Sequence, residues 1–195
     1  MTNVLAVHSV GESLRTHLDR TYPAVLRAEV PCEFRLVSSG ELADAAEIDN
    51  ALTIYLYRVT MNEHFRNVTR VVDGALESTP LSIDLHYLFT AWAKSAFNEH
   101  TILAWTMRQL HQQPVLDRSS LSPGADWGAG EFIQVIPSEL STEDVMRIWD
   151  ALEPAYRLSA SYVARVVRID TDAVPAGPPV VATRFAVGTD AESGR

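Results

Sequence analysis

One cysteine in 195 residues, Cys32, excludes an internal disulfide. Such a chain suits a reducing compartment or a fold that needs no covalent staples. Basic residues are also in the minority. Sixteen Lys and Arg face 25 Asp and Glu, for a net charge of −9. Phosphate backbones and anionic lipid surfaces are bound through basic faces, and no Lys/Arg block stands out here. No nucleic acid and no direct membrane insertion are therefore expected as partners. No apolar run approaches the roughly 18 residues of a membrane span. The opening "MTNVLAVHSVGESLRTHLDR" does not read as a secretory signal, because it lacks a basic start and His8, Glu12 and Arg15 interrupt its apolar residues. Glycine is scarce, nine in all, and nothing resembles a dinucleotide fingerprint, a phosphate loop or a G-x-S-x-G nucleophile elbow.

What is present is ordinary for a globular domain: 47% hydrophobic and 21% charged residues. A chain of this size buries roughly 70% of the surface its unfolded form exposes, enough for one self-sufficient core. Residues 3–21 predict an amphipathic helix, with Val4, Val7, Val10, Leu14 and Leu18 spaced by three and four. Residues 24–37 lean towards an edge strand or extended arm, broken by Pro31. A polar loop or short helix follows at 38–50. "ALTIYLYRVTMN" (51–62) is apolar on both faces and reads as a central strand. A polar connection over 63–80 carries Asp73-Gly74 as a turn signal.

"LSIDLHYLFTAWA" (81–93) is a second strong strand. Leu81, Ile83, Leu85, Tyr87 and Phe89 share one face, and Ser82, Asp84, His86 and Leu88 the other. Residues 98–114 predict a helix with Asn98 as N-cap and Ile102, Leu103, Thr106, Met107 and Leu110 buried. A long loop (119–130), a short strand (131–137), a helix opening on Ser141 with Asp144 three residues on, and a strand over 156–170 complete the pattern. In that last strand Tyr162, Ala164, Val166 and Arg168 alternate with Val163, Arg165, Val167 and Ile169. The expected fold is α/β (α+β): a mixed β-sheet flanked by about three helices. Composition changes after Asp170. Residues 1–170 read as the domain, and the Pro/Gly/Ala-rich stretch 171–195 as a flexible or partner-docked tail.

The search for chemistry centres on Asp84 and His86, two apart on one strand face. They are a polar pair, half of a metal site, or half of a catalytic dyad. The six histidines form no H-x-x-x-H or H-E-x-x-H pair, and zinc needs three or four ligands. Cys32 follows Pro31 in a β-leaning segment and reads as a small apolar filler, since a reactive thiolate needs an electropositive, partly exposed setting. No catalytic residue, cofactor or metal site is assigned, and the chain does not read as an enzyme. Trp105 and Trp149 fall on helices and read as packing residues. Trp127, in "GADWGAG", anchors its loop either on its own domain or on a partner. Asp84, His86, Trp127 and the tail residues Val180, Val181, Arg184 and Phe185 are the candidate partner-interface residues.

Four separated phrases carry a resemblance: "LTIYLYRVTMNEHFRN" (52–67), "PLSIDLHYLFTAWA" (80–93), "HQQPVLD" (111–117) and "LSTEDVMRIWDALEPAYRLSASYVARVVRID" (140–170). Together they are similar to the N-terminal domain of the cap, or tail-terminator, proteins of extracellular contractile injection systems. Those are phage-tail-like particles of the antifeeding-prophage and virulence-cassette type. The resemblance spans about Asn3 to Asp170 and implies a tail-terminator-like fold with an extended C-terminal arm. It also implies a structural role: a ring-shaped homo-oligomer, a hexamer, that closes the baseplate-distal end of the inner tube and anchors the last sheath layer. The implied partners are further copies of the chain, the inner-tube protein and the sheath protein. The implied place is the cytoplasm of the producing cell, within an assembled particle. In this reading "PPVVATRFAV" (178–187) is an arm that adds a strand or an apolar plug to an adjacent sheath or cap subunit. Two other readings stand beside it: an interaction module that forms no ring, and a metal-dependent enzyme using Asp84 and His86.

Overall fold

The structure, a computed structural model, describes residues 2–43, 48–62, 80–152 and 154–171, together with the backbone of 70–72 and 75–77. The first helix, α1 (Ala6–Thr21), buries Ala6, Val10, Leu14 and Leu18 completely; of the predicted stripe Val7 is only half-buried, and Val4, before the helix, is exposed. Gly11 sits inside this helix for a steric reason. A Cβ there would lie 2.8 Å from Leu36 Cδ1, so the glycine lets the helix approach the sheet closely. The helix ends at Tyr22, whose extended ψ of 118° is what a residue before proline adopts.

Residues 24–37 differ from the extended reading in their first half. Pro23 opens a short helix, α2 (Ala24–Glu29), and only after Pro31 does strand β1 (Glu33–Val37) begin. Ala, Leu, Arg and Glu favour a helix, and Pro23 stands just outside it as an N-cap of extended backbone. The strand half of the expectation holds, because β1 lies at the sheet edge. A one-turn helix, α3 (Ser39–Ala43), leads to β2 (Ala51–Met61). A small antiparallel hairpin, β3 (Arg70–Val72) with β4 (Ala75–Glu77), stands apart from the main sheet. The Asp73-Gly74 turn lies outside the described residues.

The long strand β5 (Leu81–Trp92) is followed by α4 (Ala96–Gln112), β6 (Val115–Leu116) and β7 (Ile133–Pro137), then α5 (Thr142–Ala151) and β8 (Ser159–Ile169). The N-cap of α4 is Ser95 rather than Asn98: its Oγ accepts the Asn98 N–H at 3.2 Å. Met107 is largely exposed, and Trp105 takes its place in the buried stripe. At α5 the sequence signature holds. Ser141 Oγ accepts the Asp144 N–H at 3.1 Å. Among the described residues there are thus five α-helices, three of them long, against the expected three.

The sheet runs β1-β2-β5-β8-β7-β6, with β1 parallel to β2 and every other pairing antiparallel. Strand β5 is therefore central, and helices cover both of its faces. On one face Ile83, Leu85, Tyr87, Phe89 and Ala91 meet α1 and α4 in the main core. On the other, Leu88 and Trp92 meet Leu42 of α3 and Trp149 of α5 in a smaller cluster. Tyr22, Phe34 and Trp105 join α1, β1 and α4 through edge-to-face contacts with ring centroids 4.7–5.9 Å apart. Each such contact contributes about 1 kcal/mol beyond area burial.

Strand β8 departs from simple alternation. Ile83 faces Val167 but Leu85 faces Ala164, so β8 carries an extra residue opposite Asp84. This bulge turns Val167 to the core beside Tyr162 and Ala164, and displaces Val166 and Arg168 from the face predicted for them. Strand β2 bulges similarly between Leu56 and Arg58.

Candidate functional site

Asp84 sits beside the β8 bulge and is only 9% exposed. Val166, at the bulge, adopts φ 62°, a left-handed conformation that is costly for a β-branched residue. Its backbone N–H has left the strand ladder and donates to Asp84 Oδ1 at 2.9 Å. Asn62, just past the end of β2, donates its side-chain amide to both Asp84 oxygens at 3.0 and 3.1 Å. One carboxylate thereby satisfies the freed amide of β8 and ties β2 to it across β5. The strained backbone of Val166 is held in place by this carboxylate.

His86 serves a separate contact. Its Nε2 lies 3.0 Å from Thr60 Oγ1 on β2, and its ring meets Tyr57 edge-on with centroids 6.0 Å apart. Tyr57 in turn reaches over β5 to Ser161 of β8, with the hydroxyls 3.0 Å apart. Burial, then the nearby Arg58, holds the His86 pKa below its ordinary value. Asp84 and His86 thus have separate hydrogen-bond partners. Among the described residues no group of three or more His, Cys, Asp or Glu is placed to hold a metal ion. Cys32 is buried, and burial pushes its thiol pKa up to about 12, the opposite of an activated nucleophile.

Trp127 is 8% exposed. Its indole N–H is shared between Ser122 O at 2.8 Å and Ser9 Oγ at 3.3 Å, and its ring joins the main core. The loop is therefore anchored on its own domain through α1. Val180, Val181, Arg184 and Phe185 lie outside the described residues. In the phrase ending at Asp117, that carboxylate gathers the hydroxyls and amides of Ser119 and Ser120. They lower its pKa to about 2 and fix the turn after β6.

The sequence reading also missed the far end of β2. Strand β1 pairs with β2 only as far as Val37 opposite Tyr55, while β2 continues to Met61. Among the described residues no strand covers that side of β2 beyond Tyr55. Val59 and Met61 on this stretch are 49% and 53% exposed. The signal was available as a length mismatch, eleven residues of β2 against five of β1. Pairing partners, however, are not written in strand periodicity.

The geometry can be compared with known proteins. The chain resembles the sheath/tube terminator of an extracellular contractile injection system, PVC, in its extended state, with TM-score 0.62 and 17% identity. The match covers 100% of this chain and 66% of that one. It also resembles the tube-terminating cap of the anti-feeding prophage, with TM-score 0.57 and 17% identity, over 96% of this chain and 62% of that one. The chain therefore spans 62–66% of the length of these solved chains, and the likeness establishes a shared fold. No curated protein matches it. The pattern of the Pvc16 N-terminal domain matches residues 9–183, most of the sequence, and the chain belongs to that family.

Proposed function

We propose that this chain is a structural cap of a contractile injection system, a terminator that closes the baseplate-distal end of the inner tube and anchors the last sheath layer. The observation that carries the reading is the fold likeness, over essentially the whole chain, to two tube terminators. Family membership from residue 9 to residue 183 supports it. The proposed role is non-enzymatic, in keeping with the structural work done by Asp84 and His86.

The proposed assembly is a ring, a hexamer of this chain, that contacts tube and sheath proteins and no nucleic acid. A closed ring of identical subunits needs two unlike surfaces that fit each other. The two edges of this sheet are unlike. Parallel β1 borders one side, with Glu33 and Arg35 paired along it; two-residue β6 borders the other, near the exposed Val115 and Phe132. We assign residues 1–170 to the cap domain and 171–195 to an arm, and place the chain in the cytoplasm of the producing cell and in the assembled particle. Among the described residues no helix is long and apolar enough to cross a membrane. Light scattering of the purified chain, alone and with its cognate tube protein, tests the reading. A multimer of defined copy number that co-migrates with tubes is expected. A monomer that neither self-associates nor binds tubes would refute it.

A further inference from the structure

Where β1 stops, an open groove of about 620 Å³ reaches β2 at Leu56, where the stretch of β2 that no described strand covers begins. Leu56 and Tyr87 line it from the sheet, Val4, Leu5 and Val7 from the start of α1 and the turn before it, and Leu36 from β1. A bare strand edge next to apolar side chains is a template for another strand. We propose that residues 178–187 of the same chain fill this slot as an added strand, antiparallel to β2 along Leu56–Met61.

Four observations converge on this occupant. First, the root of the tail is fixed beside the slot. The Asp170 N–H donates to Thr2 O at 2.9 Å, and the Thr2 N–H donates to Asp170 Oδ2 at 2.7 Å. Thr2 is two residues from Val4, which lines the groove. Second, the span is short. From β8 to a strand outside β2 is three strand spacings, about 14 Å. Residues 171–177 can reach roughly 23 Å. Third, the direction follows from topology. Strands β8 and β2 both run antiparallel to β5, so the chain leaves β8 at the end of the sheet where Met61 and Leu81 lie. Doubling back from there lays the segment antiparallel to β2. Fourth, the segment is suited to pairing. After Pro178-Pro179, "VVATRFAV" contains no proline or glycine, and Val181, Thr183 and Phe185 fall on one face. Their apolar bulk suits Leu56, Val59 and Met61. The inference concerns the fold of a single chain and stands or falls independently of ring formation.

Hydrogen exchange on the full chain and on a chain ended after Asp170 tests it. The outward-facing amides of 57–61 are expected to exchange about tenfold or more slowly in the full chain, at any protein concentration. Equal rates in the two chains would overturn the proposal. Protection that is lost on dilution would assign the slot to a second copy and overturn it equally. A cross-link gives the orientation, because the native Cys32 is buried. Met61→Cys paired with Val181→Cys should form a disulfide within one chain, and Met61→Cys paired with Phe185→Cys should do so poorly. Covalent dimers, no cross-link, or the reverse preference would each contradict an antiparallel strand donated in cis.

Discussion

Substituting Asp84 separates a structural carboxylate from a functional one. In the Asp84→Ala variant the Val166 N–H and the Asn62 amide lose their shared acceptor. A hydrogen bond to a charged group contributes about 1.5–3 kcal/mol, and a buried donor left unpaired costs about 1–3 kcal/mol. With two donors affected at a site 9% exposed, the loss comes to about 3 kcal/mol, with ~5 kcal/mol as a ceiling if no water enters. That is a large share of the roughly 5–15 kcal/mol by which a domain is stable. Asp84→Asn keeps one oxygen for Val166 and should lose only about 1 kcal/mol. His86→Ala removes one neutral hydrogen bond at a half-buried position and should cost at most about 1 kcal/mol. Urea unfolding reads the three as midpoint shifts at constant slope. If His86→Ala proves as damaging as Asp84→Ala, or if Asp84→Ala leaves the midpoint in place, the clamp account fails.

Other expectations follow from the same geometry. Val166→Gly relieves a left-handed valine, a gain of ~1–2 kcal/mol that offsets the lost packing and the added chain entropy, so the variant should unfold within about 1 kcal/mol of the parent. Val167→Gly, next door and fully buried, should cost at least about 2 kcal/mol by the same assay, and equal effects at the two positions would be incompatible with the bulge. Trp127→Ala should destabilise by about 3–5 kcal/mol, and Trp127→Phe by roughly 1 kcal/mol through the lost indole N–H, with thermal unfolding as the readout. A ring that served only a partner would leave the melting temperature unmoved. Burial lowers the pKa values of His17 and His86 from 6.5, with Arg20 and Arg58 adding to the effect. The fold favours the neutral rings, so their contribution is complete above that value and is lost as pH falls through the lowered folded values. Urea midpoints should drop on acidification from about pH 7.5 to about pH 5.5, and less so in a His17→Gln/His86→Gln variant. A parental midpoint that rises on acidification would contradict the sign.

Much of the architecture was legible because periodicity reports burial. The stripe of Val10, Leu14 and Leu18, the odd face of β5 from Ile83 to Phe89 and the Ser141 cap appear where spacing put them, while Leu81 at the start of β5 is exposed. Other features were not legible, each for a physical reason. Residues 24–29 form a helix because Ala, Leu, Arg and Glu favour one, while the β-leaning run around them suggested a strand. The alternation assigned to β8 breaks at Val166, because a bulge depends on what the neighbouring strand offers, here the Asp84 carboxylate. The sequence shows Asp84 and His86 as a polar pair on one strand face but hides the partners they bond to. Asn62, Thr60 and Val166 are those partners, and they come from two other parts of the chain.

The most direct test of the central claim is imaging of particles assembled with and without this chain. With it, tubes should be uniform in length, carry a ring of density at the end away from the baseplate, and keep their terminal sheath attached. Without it, tube length should spread and the distal sheath should detach. Particles that stay uniform and intact in its absence, with no density lost from that end, would contradict the assignment of a cap.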